Sequence, residues 1–277
     1  MVVLGQSRSE EKDIVSKITD KARDITGKEV DRVLAYRLEE GSHIPHLFSA
    51  QDIEQMAEEY PAQERYPVAS MVRRLQAADP GIRLAVVVRG CDERALIELA
   101  KQGQVDLERL VLLGLACGEE LAGACGCSQP YPSEVLEGEK AEGDLDLGMV
   151  EKLEGLPPGE RLDYWLSRFN TCVKCFGCRN VCPLCYCKEC ALDEPELVEP
   201  GELPPRLPVF HLVRAVDMAG RCVDCGLCEE ACPVGIPLRT LYRKVGEAVE
   251  SRFDYRPGRS LEEESPLAVL GTEEDVS

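Results

Sequence analysis

The chain has 277 residues, 15 of them cysteine, and carries 51 acidic against 32 basic side chains for a net charge of -19. That length suits one or two domains with a real core, and the charge argues against nucleic acid and anionic membrane surfaces as partners, because both are repelled at long range. The longest apolar runs, Leu84 to Val88 and Leu110 to Ala116, are far too short to span a bilayer, no secretory signal opens the chain, and thiols in this number imply metal or redox chemistry in the cytoplasm.

Glu11 to Ile25 carries Ile14, Val15, Ile18 and Ala22 at helical spacing ahead of Gly27, which predicts an amphipathic helix. Ser49 and Asp52 have capping-box spacing for a second helix through Tyr60. A third is predicted from Val68 to Ala78, stopped by Pro80-Gly81. The pattern then changes. Ile82 to Arg89 is a short valine-rich run, Asp92 to Gln102 returns to helical periodicity, and Leu110 to Ala116 is again apolar. This is a βαβ unit over 82–116, and strands apolar on both faces fit a covered parallel sheet.

Ligands of such sheets bind beyond the carboxyl ends of the strands. Gly90, Cys91 and Asp92 lie at one such end, and Gly114, Cys117 and Gly118 at the other. These six are the candidate cofactor-binding residues, since a helix starting after Gly90 presents its N-terminus to a phosphate such as that of FAD. Many helices start this way and bind nothing. The chain has no G-x-G-x-x-G after a strand, no G-x4-G-K-[ST] and no H-E-x2-H, so a standard nicotinamide fingerprint, nucleotide hydrolysis and zincin chemistry have no support.

Glu134 to Glu160 holds nine acidic residues against Lys140 and Lys152 and reads as a solvated linker. Helical patterns follow at Glu160 to Phe169, Phe210 to Ala219 and Pro237 to Val249, with no convincing strand after Pro157. Asp193 to Pro208 carries five prolines and reads as a loop. The last twenty residues read as disordered.

Between these helices the same C-x2-C-x2-C-x3-C-P run occurs twice, at Cys172 to Pro183 and at Cys222 to Pro233. Three thiolates two residues apart cap three irons of one 4Fe-4S cubane, while the fourth points to the neighbouring cluster. The expected sets therefore cross: Cys172, Cys175, Cys178 and Cys232 for one cluster, Cys222, Cys225, Cys228 and Cys182 for the other. Each proline turns the chain out of the site. Structural zinc is the alternative for eight cysteines, but it does not call for the complete run with its trailing proline, repeated twice.

Seven cysteines remain. Cys185, Cys187 and Cys190 form a tight trio that, with Cys91 or Cys117, would hold a third cluster; spare thiols or a zinc site is the other reading. Cys125-Gly-Cys127 offers a cluster ligand, an exchangeable thiol pair or plain buried cysteine. His43, His46 and His211 show no metal spacing and read as ordinary side chains.

The second run, from Arg221-Cys222 through Pro233 and on to Ile236-Pro237, resembles the α-helical ferredoxin fold of succinate dehydrogenase iron-sulfur subunits and of the small subunit of heterodisulfide reductase. Leu84 to Leu99 with Gly90-Cys91, followed by Leu110 to Cys117, resembles the β-subunit family of deazaflavin-dependent hydrogenases and formate dehydrogenases over about residues 80–190. Here the turn lacks that family's proline, and the cluster runs lie centrally and C-terminally. This second resemblance implies FAD beside a 4Fe-4S cluster, and partners among hydrogenase, dehydrogenase or heterodisulfide reductase subunits.

The expected organisation is an α/β half with a small, mainly parallel sheet (1–133), an acidic linker (134–158), an α-helical ferredoxin-like module with two 4Fe-4S clusters (159–255) and a disordered acidic tail (256–277). The expected function is an iron-sulfur electron-transfer subunit of an anaerobic oxidoreductase, relaying electrons through two or three clusters to or from a flavin or a partner. The alternatives are a pure ferredoxin-like wire without flavin and a zinc-stapled scaffold.

Overall fold

A computed structural model of the chain describes residues 16–60, 64–205 and 208–266. Four strands form one sheet in the order β2-β1-β3-β4: β1 (Arg32–Glu39), β2 (Ser42–Phe48), β3 (Leu84–Val88) and β4 (Leu110–Gly114). β1, β3 and β4 run parallel, and β2 pairs antiparallel with β1 at the edge. The βαβ unit forms as predicted, with α3 (Gly90–Lys101) between β3 and β4.

The sheet is sandwiched. Val33, Ala35, Ala85, Val87 and Leu113 face α1 (Lys17–Ile25), which contributes Ile18, Ala22 and Ile25. Leu34, Leu84, Val86 and Val88 face the opposite way, onto α2 (Val68–Ala78) and α3. Period-two alternation thus divides these residues between two cores, while Tyr36 joins the core of Val33 and Ala35. Every residue of β3 is buried, as a central parallel strand requires. Residues 11–15 of the predicted first helix lie outside the described residues.

The β1-β2 hairpin was not anticipated. β1 buries Val33 through Tyr36 without alternation, and Pro45 in β2 speaks against a strand. An edge strand tolerates that proline because its ladder is half free. The turn is legible in retrospect: Glu40 and Gly41 both have positive φ, 49° and 83°, the requirement of a type I′ hairpin. The helix predicted after Ser49 is corrected to a single 3-10 turn, Ile53–Gln55. Asp52 Oδ1 accepts from both Ser49 N and Ser49 Oγ, which closes a local turn and does not launch a helix.

After α4 (Glu119–Cys125) the chain turns back over the sheet. Leu136 N donates to Gly114 O and Ala116 N to Glu137 O, both at 2.9 Å, so part of the acidic stretch straps the free edge of β4. The same stretch contains α5 (Gly148–Glu154), which buries Val150 and Leu153. Next come α6 (Pro158–Phe169), the short α7 (Gly177–Asn180), α8 (Val209–Asp217), the short α9 (Leu227–Glu230) and α10 (Leu238–Phe253), with no strand among the described residues of this half. Leu184, Met218 and Val223 from this helical module join the core that contains Val88, Leu96 and Leu99, so the two halves share apolar packing.

Two residues that follow α10, Tyr255 and the Gly258 expected in the tail, lie against α3. Glu98, 1 % exposed, accepts from Tyr255 Oη at 2.8 Å, from Gly258 N at 2.6 Å and from Lys101 Nζ at 3.0 Å. All three donors fall on Oε1 and offset part of the cost of burying that carboxylate, whose Oε2 is buried without a hydrogen-bond partner. Residues 267–277 of the predicted disordered tail lie outside the described residues.

Candidate metal centres

The two cysteine runs fold into the same loop twice. Lys174 and Phe176 in the first, and Asp224 and Gly226 in the second, all have positive φ (52°, 56°, 56° and 78°). Left-handed residues beside right-handed ones turn successive N–H groups inward to form a nest for negative charge. Lys174 N and Gly177 N point at Cys172 Sγ and Cys175 Sγ, and Ile236 N at Cys232 Sγ, each at 3.4 Å. A side chain at left-handed Phe176 is strained; its ring packs edge-on to Phe210 at 5.5 Å and lies under Arg179 at 4.3 Å, which offsets the cost.

The loops meet where α7 approaches α9. A Cβ on Gly177 would stand 3.1 Å from Ala231 O. Closeness here places each run's last cysteine beside the other run. One cavity is lined by Cys172, Cys175, Cys178 and Cys232, and a second by Cys182, Cys222, Cys225 and Cys228. These are the two crossed sets.

Each cavity also holds a buried polar group with no hydrogen-bond partner in the protein. His211, 1 % exposed, lines the first, stacked on Phe169 at 4.3 Å with both ring nitrogens unpaired. Burial, with Arg214 nearby, lowers its pKa to about 4. Tyr242, 3 % exposed, lines the second with its hydroxyl unpaired. An unmade buried hydrogen bond costs about 1–3 kcal/mol, and sulfide-bearing groups in the cavities would supply acceptors. The four-thiol rings, the inward N–H groups and these two donors fit 4Fe-4S clusters.

Charge around the cavities is arranged to hold anions. Arg214, 2 % exposed, donates from Nη1 to Cys185 Sγ at 2.9 Å and from Nη2 to Cys178 O at 2.8 Å, and it borders the second cavity. Asp224 binds Arg239 Nε at 2.5 Å and Arg243 Nη2 at 3.0 Å, fixing two further guanidinium groups at the same loop. Burial pushes the Cys178, Cys225 and Cys228 thiols above their ordinary value. Without metal they hold their protons, and metal binding releases them.

At the strand ends the candidate cofactor-binding residues lie beneath the chain's own backbone. A Cβ on Gly90 would lie 2.4 Å from Tyr131 O, and one on Gly114 1.8 Å from Glu134 O. These glycines admit the chain's own backbone, residues 129–134, over the crest. The first turn of α3 is satisfied from within: Asp92 Oδ2 accepts from Arg89 N at 3.0 Å, and Glu93 accepts from Ser133 N at 2.7 Å. Gly90, Asp92 and Gly114 therefore have packing and capping roles at the start of α3.

Cys91 and Cys117 do reach a common cavity, but with different companions from those expected. It is lined by Cys91, Cys117, Cys125 and Cys127 together with Arg65, Arg89 and Arg239. The trio lies elsewhere: Cys185 beside Arg214, Cys187 exposed, and Cys190 packed with Leu192, Val198 and Phe210. The sequence leaves Cys125 and Cys127 open between a cluster ligand, an exchangeable thiol pair and buried cysteine, and it does not point to Arg65 or Arg239. The C-x-C spacing across a glycine was the available signal.

Fold and sites together define a class: an iron-sulfur protein in which a helical, two-run ferredoxin module is built onto a small α/β sheet. A family model described as a 4Fe-4S binding domain matches residues 215–237, which contain the second run. Among curated proteins, the chain is 38% identical over 97 residues to the F420-dependent formate dehydrogenase subunit beta of Methanocaldococcus jannaschii, covering 35% of this chain and 26% of that one. It is 41% identical over 111 residues to the F420-dependent formate dehydrogenase 1 subunit beta of Methanococcus maripaludis, covering 40% and 28%. The chain thus resembles these β subunits and carries a 4Fe-4S module. It spans about a quarter of the length of the curated relatives it matches.

Proposed function

We propose that the chain is an iron-sulfur electron-transfer subunit of a multi-subunit oxidoreductase. The observation that carries this reading is the pair of cavities, each ringed by three thiols of one run and the fourth of the other. Cys172, Cys175, Cys178 and Cys232 would hold one 4Fe-4S cluster, and Cys182, Cys222, Cys225 and Cys228 the other. Such clusters, when bound, supply one-electron storage and transfer at a potential set by burial, charge and hydrogen bonds to sulfur.

The chain's own residues supply that tuning. Arg214 provides a buried positive charge, Lys174 N, Gly177 N and Ile236 N provide N–H groups aimed at sulfur, and Phe169, Phe210 and Ile236 keep water out. Among the described residues, no three His, Cys, Asp or Glu side chains are gathered closely enough for a single ion. Four-thiolate zinc draws its sulfurs to about 3.8 Å of one another, as zinc-sulfur bonds of about 2.3 Å at tetrahedral angles require. A cubane spreads its thiolates over four irons, so thiols placed around a cavity favour the cluster.

The first cavity reaches the surface. Cys175 is exposed, and Val173 and Val234 line the cavity while standing 46% and 37% exposed. This edge suits a partner subunit that exchanges electrons with the first cluster. The names of the relatives point to formate dehydrogenase as the type of complex. No helix among the described residues is long and apolar enough to cross a membrane, and the reduced thiols suit a cytoplasmic setting. The closed α3 N-terminus favours a wire without flavin at that place.

The test is anaerobic isolation of the full chain, with iron, acid-labile sulfide, zinc and released flavin measured on one sample and electron paramagnetic resonance after reduction. At least about eight irons with interacting 4Fe-4S signals are expected. Stoichiometric zinc without iron would sink the reading.

A further inference from the structure

We propose that Cys185 is a reserve ligand of the second cluster, placed across a turn from Cys182 and able to replace it on the same iron. This role rests on the crossed ligand sets proposed above, and Cys185 belongs to neither set. The two runs continue past their last cysteines in the same way. Cys182-Pro-Leu-Cys185 and Cys232-Pro-Val-Gly235 each close a turn in which the fourth residue's N–H donates to the cysteine carbonyl, at 3.2 Å in both. Such a turn keeps its first and fourth Cα atoms within about 7 Å.

What stands across the turn differs between the runs. In the second it is Gly235, left-handed with φ of 63° and without a side chain; in the first it is a thiol. Cys232 Sγ takes the N–H of Ile236 at 3.4 Å, whereas Cys182 Sγ has the Cys185 thiol as a hydrogen-bond partner and Met218 Sδ at 3.7 Å. The repeated loop needs no sulfur at this position, since its other copy closes with glycine. The additional thiol is specific to the fourth ligand of the second cluster.

The surroundings fix Cys185 beside the cavity. Buried Arg214 donates from Nη1 to Cys185 Sγ at 2.9 Å and borders the second cavity together with Cys182. Its Nε is buried with no hydrogen-bond partner, so the guanidinium keeps a donor for negative charge at this place. Leu184 and Met218, both buried, line the same cavity and keep water from the pair. A cysteine that merely fills a core calls for neither a buried arginine on its sulfur nor a second thiol beside it.

The exchange balances within the pair. Cys182 gives up its bond to iron and takes a proton, while Cys185 releases that proton along their shared hydrogen bond and forms the new bond to the same iron. No electron moves, the net charge is unchanged and no further reactant is needed. Arg214 favours Cys185 as the ligand, because a hydrogen bond from a guanidinium to a thiolate is stronger than one to a thiol. The second cluster, at the junction with the sheet, thus has two thiols for one corner. The first, whose fourth ligand Cys232 faces Gly235, has one.

The experiment measures iron, acid-labile sulfide and electron paramagnetic resonance on anaerobically isolated full-length protein. Cys182→Ala should keep the wild-type iron count with a shifted second-cluster signal, and Cys185→Ala should keep it too. The Cys182→Ala/Cys185→Ala double variant should lose between about one iron, leaving a three-iron cluster, and about four. Cys232→Ala, with glycine across its turn, should lose iron in the same range. Loss of iron from Cys182→Ala as large as from Cys232→Ala overturns the proposal. So does full iron in the double variant or in Cys232→Ala, since a missing fourth ligand would then be replaced without Cys185. Should Cys182→Ala not fold, Cys182→Ser with and without Cys185→Ala is read in the same way, and cluster loss from Cys182→Ser alone overturns the proposal as well. Cys228→Ala separates the two readings. If it keeps the wild-type iron, no cluster stands on this set and the electron-transfer reading fails first; if it and Cys182→Ala both lose iron, only the reserve role falls.

Discussion

The two cysteine runs share one sequence pattern and one backbone, yet they sit in different surroundings. The first run opens to solvent at Cys175, and the second is pressed into the core shared with the sheet, where Cys222 and Cys225 pack with Val88, Leu96 and Val223. Asp224, Arg239 and Arg243 brace the second loop, whereas the first has Lys174, whose Nζ reaches Glu199 O at 2.5 Å. Local spacing thus dictates the cysteine loop, and tertiary packing dictates the burial and charge that would separate the two proposed clusters in potential and accessibility.

The strongest challenge to this comparison is a pair of matched deletions. Cys175→Ala and Cys225→Ala should each remove about four irons, and Cys225→Ala should lower the thermal unfolding temperature further, because its thiol is part of the junction between the halves. Iron analysis with calorimetry checks this; equal unfolding temperatures would mean that the second loop does not brace the junction. Next in size is Arg214→Met, expected to cost about 3 kcal/mol by leaving Cys178 O and Cys185 Sγ without their donor. Removing a buried cation should also move the cluster potentials to more negative values in a redox titration. Arg214→Lys should keep most of the potential while losing the two-pronged geometry.

Smaller effects sharpen the comparison at the equivalent left-handed positions. Gly226→Ala should destabilise by about 1 kcal/mol in denaturant unfolding, because an L side chain resists its φ of 78°. Phe176→Gly should change stability less than that, since relief of backbone strain offsets the lost contacts with Phe210 and Arg179. The smallest effect belongs to Asp52, far from the cysteines. Bonds from the Ser49 hydroxyl and N–H, aided by His46, hold its carboxyl at about 2 against an ordinary 3.8. A folded pKa below the unfolded one gives stabilisation that is present above the ordinary value and lost as pH falls toward 2. The Asp52→Asn variant should therefore melt below wild type at pH 6 by a margin that shrinks with acid, and a carboxyl NMR titration should place the midpoint near 2.

Much of the molecule was legible because it is local. The βαβ unit announced itself by a change of period, α2 was read to the residue, and the cysteine runs encode their loops by spacing alone. The β1-β2 hairpin escaped because its buried strand lacks alternation and its edge strand carries a proline. The helix after Ser49 was over-read because the Ser-Asp pair bonds within its own turn. Residues 134–158 looked like a linker because acidic composition says nothing about a backbone that pairs with β4 through its amides.

By itself the sequence determined the chemistry on offer: which thiols stand at cluster spacing, which loops they form, and that a parallel sheet precedes them. Only the tertiary structure decided that residues 129–134 close the α3 N-terminus, that His211 and Tyr242 stand unpaired beside the two cavities, and that Cys91 and Cys117 meet Cys125 and Cys127 and not the trio. The reason is physical. Ligand spacing within a run is a property of a few consecutive dihedral angles, whereas the company a thiol keeps across strand ends is set by long-range packing that no local period records.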